Sequence, residues 1–237
     1  MSTGNPGRPA PTGPPKRSAP VARVSRSALD GNLRAVLAGR GEGVVDVRAD
    51  AWGHGAAFVA AAALRAGARS LLVDEAAAEA LGGVVDPTRL QTAGTTLDAE
   101  EVFGLAGTGT PVLSLCGWVL SVKVLRAGEG VSYGYTHRAP HDTTVALVTG
   151  GYAQGIVRAL GNRVDVAIAG LRHPIVGRVA MDVCVVDVGA ADVARGDEVA
   201  FFGAGGPAIG EWAAATGMSA GELVAAVGLR VEREYGR

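Results

Sequence analysis

Two textures divide the chain. Between residues 21 and 105, short apolar runs alternate with stretches of helical periodicity, the pattern of β/α units with parallel strands. VARV at 21–24, VVDVR at 44–48 and SLLV at 70–73 read as strands. Ser25 or Ser27 supplies an N-cap for the helix that follows, in which Leu29, Leu33, Val36 and Leu37 share one face and Gly39 closes the end. AAFVAAAALRAGA predicts a second helix ending at Gly67, and DEAAAEALGG a third with Asp74 at its N-cap. Beyond Pro111 the apolar runs crowd together and are punctuated by glycine and turn residues. VLSLCGWVLSVKVL, TTVALV, VDVAIA, PIVGRVAMDVCVVDV and EVAFF each predict a strand or a hairpin pair, mostly antiparallel. AIGEWAAATG and SAGELVAAV predict short helices, and LRVERE a last strand. The expected division is a disordered proline-rich leader over 1–20, an α/β region over 21–110 and a β-rich domain over 111–237.

Composition narrows the function classes. Of 237 residues, 48% are hydrophobic, enough for a packed core, and the net charge of −1 provides no field to draw polyanions or anionic membranes. Nucleic acid and lipid are therefore poor partners. No run approaches the ~18 apolar residues of a membrane span, and the leader holds Pro6, Pro9, Pro11, Pro14, Pro15 and Pro20 but no apolar segment of a signal peptide, so a cytoplasmic location is expected. Cys116 and Cys184 lack a paired metal spacing and read as reduced, buried, apolar side chains. Among the basic residues only Lys16 and Lys123 are lysines, which limits any chemistry that needs a primary amine.

Three stretches carry candidate chemistry. RADAWGHG at 48–55 stands where a buried strand gives way to a helix, the place where α/β folds present ligand-contacting groups. It resembles the K-A-D/N-A-Y-G-H-G signature of the alanine racemase family, with Arg48 in the lysine position and Trp52 in the tyrosine position. GEGVSYGYTHRAPHDTTVALVTGGYAQG at 128–155 is similar to the start of that family's C-terminal β domain, and AGLRHPIVGRVAMDVCVVDVG at 169–189 resembles its G-R-x-C-M-D segment. With weaker likeness at 27–37 and 111–125, the resemblance covers most of the chain outside the leader. The implied fold is a partial TIM-barrel-like α/β layer followed by an alanine-racemase-like C-terminal β domain.

The resemblance implies pyridoxal phosphate as the family cofactor and interconversion of L- and D-alanine as the family reaction. It makes Tyr133 the counterpart of one of two catalytic bases, places Tyr152 at the substrate entry, and sets Met181 and Asp182 beside the substrate carboxylate. In the family these groups act across a dimer interface, in the partner subunit's cofactor pocket. Racemisation needs two bases because a proton leaves one face of the amino acid and another returns to the opposite face. The family lysine is one base and the cofactor's anchor. Arg48 can be neither, because a guanidinium with a pKa above about 12 keeps its proton. Lys16 lies in the leader, and Lys123 lies in a strand where the family pattern has a lysine without that role.

A complete eight-unit barrel takes about 250 residues, whereas the α/β region here has room for about three βα units. The likeness fades after Ala80, and the family's phosphate-contacting tyrosine near the C-terminus aligns with Gly221 before Glu222. The expectation is thus a protein that is non-catalytic alone, forming a homodimer or a heterodimer with a full-length racemase. The alternative is an active pyridoxal-phosphate-dependent racemase supplying D-alanine for cell-wall synthesis.

Plainer roles compete with these. Tyr133 and Tyr152 have the character of half-buried strand tyrosines, and Met181 that of core filler. Arg48 is expected to pair with Asp46 or Asp50, and His54 to cap or hydrogen-bond a turn. His137 and His141 have i, i+4 spacing, but Pro140 between them argues against a helical metal pair. Gly203, Gly205 and Ala208 imitate a dinucleotide fingerprint, yet Pro207 and the antiparallel neighbours point to a turn.

Overall fold

The computed structural model describes residues 19–236 except 106 and 108, so Lys16 and most of the expected leader lie outside the described residues. The chain opens with β1 (Val21–Ser25) and α1 (Arg26–Arg40). Ser25 is the cap of α1, its hydroxyl accepting the Ala28 N–H at 3.2 Å. Gly39 stays inside the helix, and Gly41, at φ 71, ends it. Leu29, Leu33 and Leu37 are buried on one face, as their spacing predicts. Next come β2 (Val44–Asp46), the turn segment α2 (Arg48–Trp52), α3 (Ala56–Arg65), β3 (Ser70–Leu72), α4 (Glu75–Leu81), β4 (Leu90–Gln91) and α5 (Ala99–Phe103). Strands β2, β3 and β4 form a parallel sheet in that order.

β1 does not join the parallel strands. It pairs antiparallel with β5 (Leu113–Leu125), Val21 opposite Cys116, and parallel with β13 (Glu232–Gly236), Val21 opposite Glu232. Hydrophobic periodicity reports that a segment is a strand and which face it buries, but not which strand it pairs with. The run at 113–125 is likewise one long strand rather than a hairpin pair, and VVDVR is in strand conformation only to Asp46.

The second half supplies β6 (Gly130–Val131), β7 (His137–Arg138), β8 (Thr143–Thr149), β9 (Asp165–Ile168), β10 (Leu171–Val176), β11 (Val183–Asp187) and β12 (Glu198–Phe202), then α6 (Ile209–Thr216) and α7 (Ala220–Gly228). The neighbours run β5, β12, β9, β10, β11, β8 and back to β5, every pair antiparallel, so six strands close into a barrel. Alternation along β11 shows why this segment is a strand: Cys184 and Val186 are buried while Val183, Val185 and Asp187 are half-exposed. Phe201, Phe202 and Trp212 are fully buried, with Trp212 edge-on to Phe202 at 5.0 Å. Cys116 and Cys184 are both buried, and burial pushes the Cys184 thiol up to about 12. The residues from Gly203 to Ala208 make a turn between β12 and α6. No helix among the described residues is long and apolar enough to cross a membrane.

Candidate functional site

Two groups of residues carry the sequence expectations, and the protein places them on different sheets. The first sits at the carboxyl end of β2. Asp46 is buried, 6% exposed, and its carboxylate accepts three hydrogen bonds from one residue: the Arg48 N–H at 3.0 Å, Nε at 2.9 Å and Nη2 at 2.7 Å. Asp46 is therefore the ion-pair partner. This bidentate fork raises the Arg48 pKa further above its ordinary value, chiefly through the hydrogen bond to Asp46.

Past Arg48 the backbone makes a left-handed turn. Ala49, Asp50, Ala51 and Trp52 all have φ between 49° and 55°, each at a cost of about 1–2 kcal/mol for a residue with a Cβ. Fixed partners offset that cost. Asp74, the N-cap of α4, takes the Ala49 N–H at 2.7 Å as well as that of Ala77 at 2.8 Å, and these bonds hold its carboxyl below the usual range. Asp50 accepts the Ala56 N–H at 2.6 Å and is gripped by Arg233 of β13, which also donates to the Gly53 carbonyl at 3.2 Å. His54 is completely buried; its Nδ1 lies 2.9 Å from the Ala51 carbonyl, and its ring stacks on Phe103 at 4.0 Å. Burial pushes its pKa down to about 4.

The space beside the turn is filled. The Trp52 ring tilts against Phe103 at 5.9 Å and lies over Gly221 of α7, where any Cβ would collide with it. Glu222 serves α7 itself, closing a capping box with Ser219. The strand end thus presents a permanently protonated fork and an indole, not the neutral primary amine that a Schiff base requires. Lys123 stands on β5, in the other sheet, exposed.

The second group lies on the rim of the barrel. Tyr133 begins a 3-10 turn between β6 and β7, and the hydroxyl of its neighbour Ser132 donates to the Arg178 carbonyl. Tyr152 begins another, after β8. That turn is zipped to the loop before β11: Gly150 N–H to Asp182 O at 2.8 Å, Tyr152 N–H to Ala180 O at 3.0 Å, Ala153 N–H to Met181 O at 3.0 Å. Gln154 adds a side-chain bond to Asp182 at 3.0 Å, and a Cβ at Gly151 would strike the Met181 carbonyl. Tyr152, Met181 and Asp182 are thereby brought together, and the 178–182 loop runs on to the Tyr133 turn.

All of these side chains face solvent. Tyr133 is 69% exposed, Tyr152 42% and Met181 54%. The plainer roles fail here: neither tyrosine sits within a strand, and Met181 is not core. Among the described residues neither phenol is hydrogen-bonded. No cluster of three His, Cys, Asp or Glu that could hold a metal occurs among the described residues. Phe103, Asp74 and Arg233 were not legible as parts of the β2 turn. Arg233 reaches it from 183 residues away, a separation at which no local pattern carries a signal.

This fold, a closed antiparallel barrel accompanied by a three-stranded parallel βα layer, superposes on solved alanine racemases. The chain superposes on alanine racemase from Streptomyces coelicolor with a TM-score of 0.79 at 22% identity, covering 92% of this chain and 98% of that one. A Bartonella henselae alanine racemase with covalently bound pyridoxal phosphate gives 0.78 at 18% identity, with 92% and 99% covered. Residues 112–235 match the family model of the alanine racemase C-terminal domain, and the chain belongs to the alanine racemase family. It is 46% identical over 130 residues to alanine racemase from Mycobacterium leprae, a match covering 53% of this chain and 34% of that protein. The chain spans about a third of the length of the curated relatives it matches.

Proposed function

We propose that this protein does not racemise alanine by itself and acts by pairing, lending its barrel rim to a polypeptide that carries an intact cofactor site. The observation that carries the reading is the Arg48–Asp46 fork, three hydrogen bonds at 2.7–3.0 Å at the position of the family lysine. An aldehyde is captured by a neutral amine, and a guanidinium held by a buried carboxylate has none to give. Covalent attachment of pyridoxal phosphate at this turn is therefore not expected. The three parallel strands are read as the front of a barrel whose middle units are missing.

The rim supports the other half of the proposal. Tyr133, Tyr152, Met181 and Asp182, which in the family reach into a partner's pocket, remain gathered and exposed. Met181 and the tyrosines form the kind of amphipathic surface that association buries. The test is co-expression with a full-length alanine racemase followed by size exclusion and mass analysis. A shared peak of mixed composition is expected, and elution as two separate homodimers overturns the pairing. The competing reading, an active racemase, rests on the same surviving Tyr133. Purified protein that gains a visible absorbance with pyridoxal phosphate, fixed by borohydride, and interconverts L- and D-alanine would establish it.

A further inference from the structure

We infer that a cavity in the outer wall of the barrel, around Lys123, binds a small aliphatic carboxylate. Ser121 and Lys123 of β5 stand opposite Leu147 and Val145 of β8, and Leu147 stands opposite Val185 of β11, so these side chains share one face. Ala146, Val148, Cys184 and Val186, at the alternate positions, point the other way into the main core. The face with Lys123 encloses a cavity of about 320 Å³ whose floor is Val145, Leu147 and Val185. Ser121 and Ser132 edge it, and no carboxylate lines it.

A hairpin held over this wall makes the cavity. β6 and β7 pair with Val131 opposite His137, and the ladder continues through the Gly128 N–H to the Ala139 carbonyl at 2.8 Å and the Ala139 N–H to the Glu129 carbonyl at 2.9 Å. Val131 and Ala139 are buried with Leu125, Val145 and Val176 in a small core of their own, separate from the main one. His137 shares the face of Val131, and its Nε2 is buried with no hydrogen-bond partner among the described residues. A buried polar atom left unmet costs about 1–3 kcal/mol, so a polar guest on this side of the hairpin relieves a deficit. The site lies down the wall from the rim: Val145, opposite Lys123, precedes Gly150 by about 16 Å of strand at ~3.3 Å per residue. A partner seated on Tyr152, Met181 and Asp182 therefore does not fill it.

Lys123 is the only lysine among the described residues, and no Asp or Glu there forms an ion pair with it. Arg23, Arg126 and Arg172, by contrast, each grip an acid. A lysine above an apolar floor keeps its methylene stem on the floor and its ammonium in water, where an anion can reach it. The site offers one positive charge and no arginine fork, which suits a carboxylate rather than a dianion. Next to a low-dielectric floor that attraction is stronger than in open water, and the floor adds about 25 cal/mol for each Å² of ligand hydrocarbon it covers. The volume stands at the lower end of the about 300–1,000 Å³ of small-ligand sites, so the ligand is a short-chain acid rather than a nucleotide or a long lipid.

The experiment is titration of the full chain with hexanoate, acetate, hexanol and hexylammonium, followed through the methyl resonances of Val145, Leu147 and Val185. Hexanoate should shift those methyls saturably, as one site. Acetate, which lacks the hydrocarbon, and hexanol, which lacks the charge, should each bind at least fivefold more weakly, and hexylammonium should not bind. Lys123→Gln should weaken hexanoate at least fivefold and erase its advantage over hexanol, whereas Lys123→Arg keeps the charge and should retain most of the affinity. Arg195→Gln, which removes an exposed charge elsewhere, should change nothing. If Lys123→Gln melts early, the comparison of hexanoate with hexanol on the unaltered protein decides. Absence of saturable shifts with hexanoate, equal binding of hexanol, or unchanged hexanoate affinity in folded Lys123→Gln overturns the inference. Every measurement uses the unpaired chain, so none of these outcomes bears on the racemase pairing.

Discussion

At position 48 the difference between lysine and arginine is one of acid–base chemistry before it is one of shape. Arg48→Lys would supply an amine, but beside the buried Asp46 that amine is held protonated, and Trp52 still covers Gly221. The variant should show no borohydride-fixable absorbance with added pyridoxal phosphate and no turnover; turnover in this single mutant would sink the reading of the site. Because the Arg48 side chain is 51% exposed, screening discounts its pair, and the substitution should cost no more than about 1 kcal/mol. His54, six residues on, makes the opposite kind of prediction. Its folded pKa, about 4, lies below the ordinary 6.5, so the folded protein resists a proton that the unfolded chain accepts. The stability it contributes is complete above pH 6.5 and is lost as pH falls towards 4, about 3 kcal/mol over that window at 1.36 kcal/mol per unit. Urea melts at pH 7.5, 6 and 5 should show the decline, and His54→Gln should flatten it. Equal slopes for the two proteins would show that other groups carry the effect.

The β2 turn shows what an element can and cannot reveal in its sequence. RADAWGHG was legible as the junction of a strand and a helix, because Val44, Val45 and the later alanine run announce their own conformations. The left-handed path through Ala49–Trp52 was not, since its supports come from Asp74 and Arg233, far along the chain. Nor was the reciprocity between Trp52 and Gly221 readable, where a large ring lies against a residue without a side chain. That reciprocity is testable as a cycle. Gly221→Ala alone overpacks the indole and should cost about 1–3 kcal/mol; Trp52→Phe alone leaves a gap of its own. The double variant should be at least about 1 kcal/mol more stable than the sum of the two losses predicts. Chemical denaturation of the four proteins measures it, and strict additivity would mean that the contact does not couple them.

For the whole molecule, the barrel strands were legible singly through alternation such as Cys184 and Val186, but their closure was not, because β12 meets β5 from 80 residues away. The same blindness misassigned β1, which looked like the first parallel strand. Its actual place has a consequence for how the chain folds. Val21, Ala22 and Val24 are at most 1% exposed between β5 and β13, and Arg23 reaches across to Glu198 on β12 with two bonds, at 2.7 and 2.6 Å. Burying a valine is worth about 1.5–3 kcal/mol, so the two valines alone represent a large part of the about 5–15 kcal/mol that holds a domain folded. The stretch that matches the family's C-terminal domain, residues 112–235, lacks this strand. Expressed alone, it would leave the first half of β5 and the whole of β13 without their neighbour, as open edges prone to aggregation. Such a fragment should lack a cooperative thermal melt, and adding a peptide of residues 19–26 should restore part of it. A sharp, concentration-independent melt from the fragment alone would show that β1 is an accessory to the barrel, and that the α/β layer and the barrel are independent folding units.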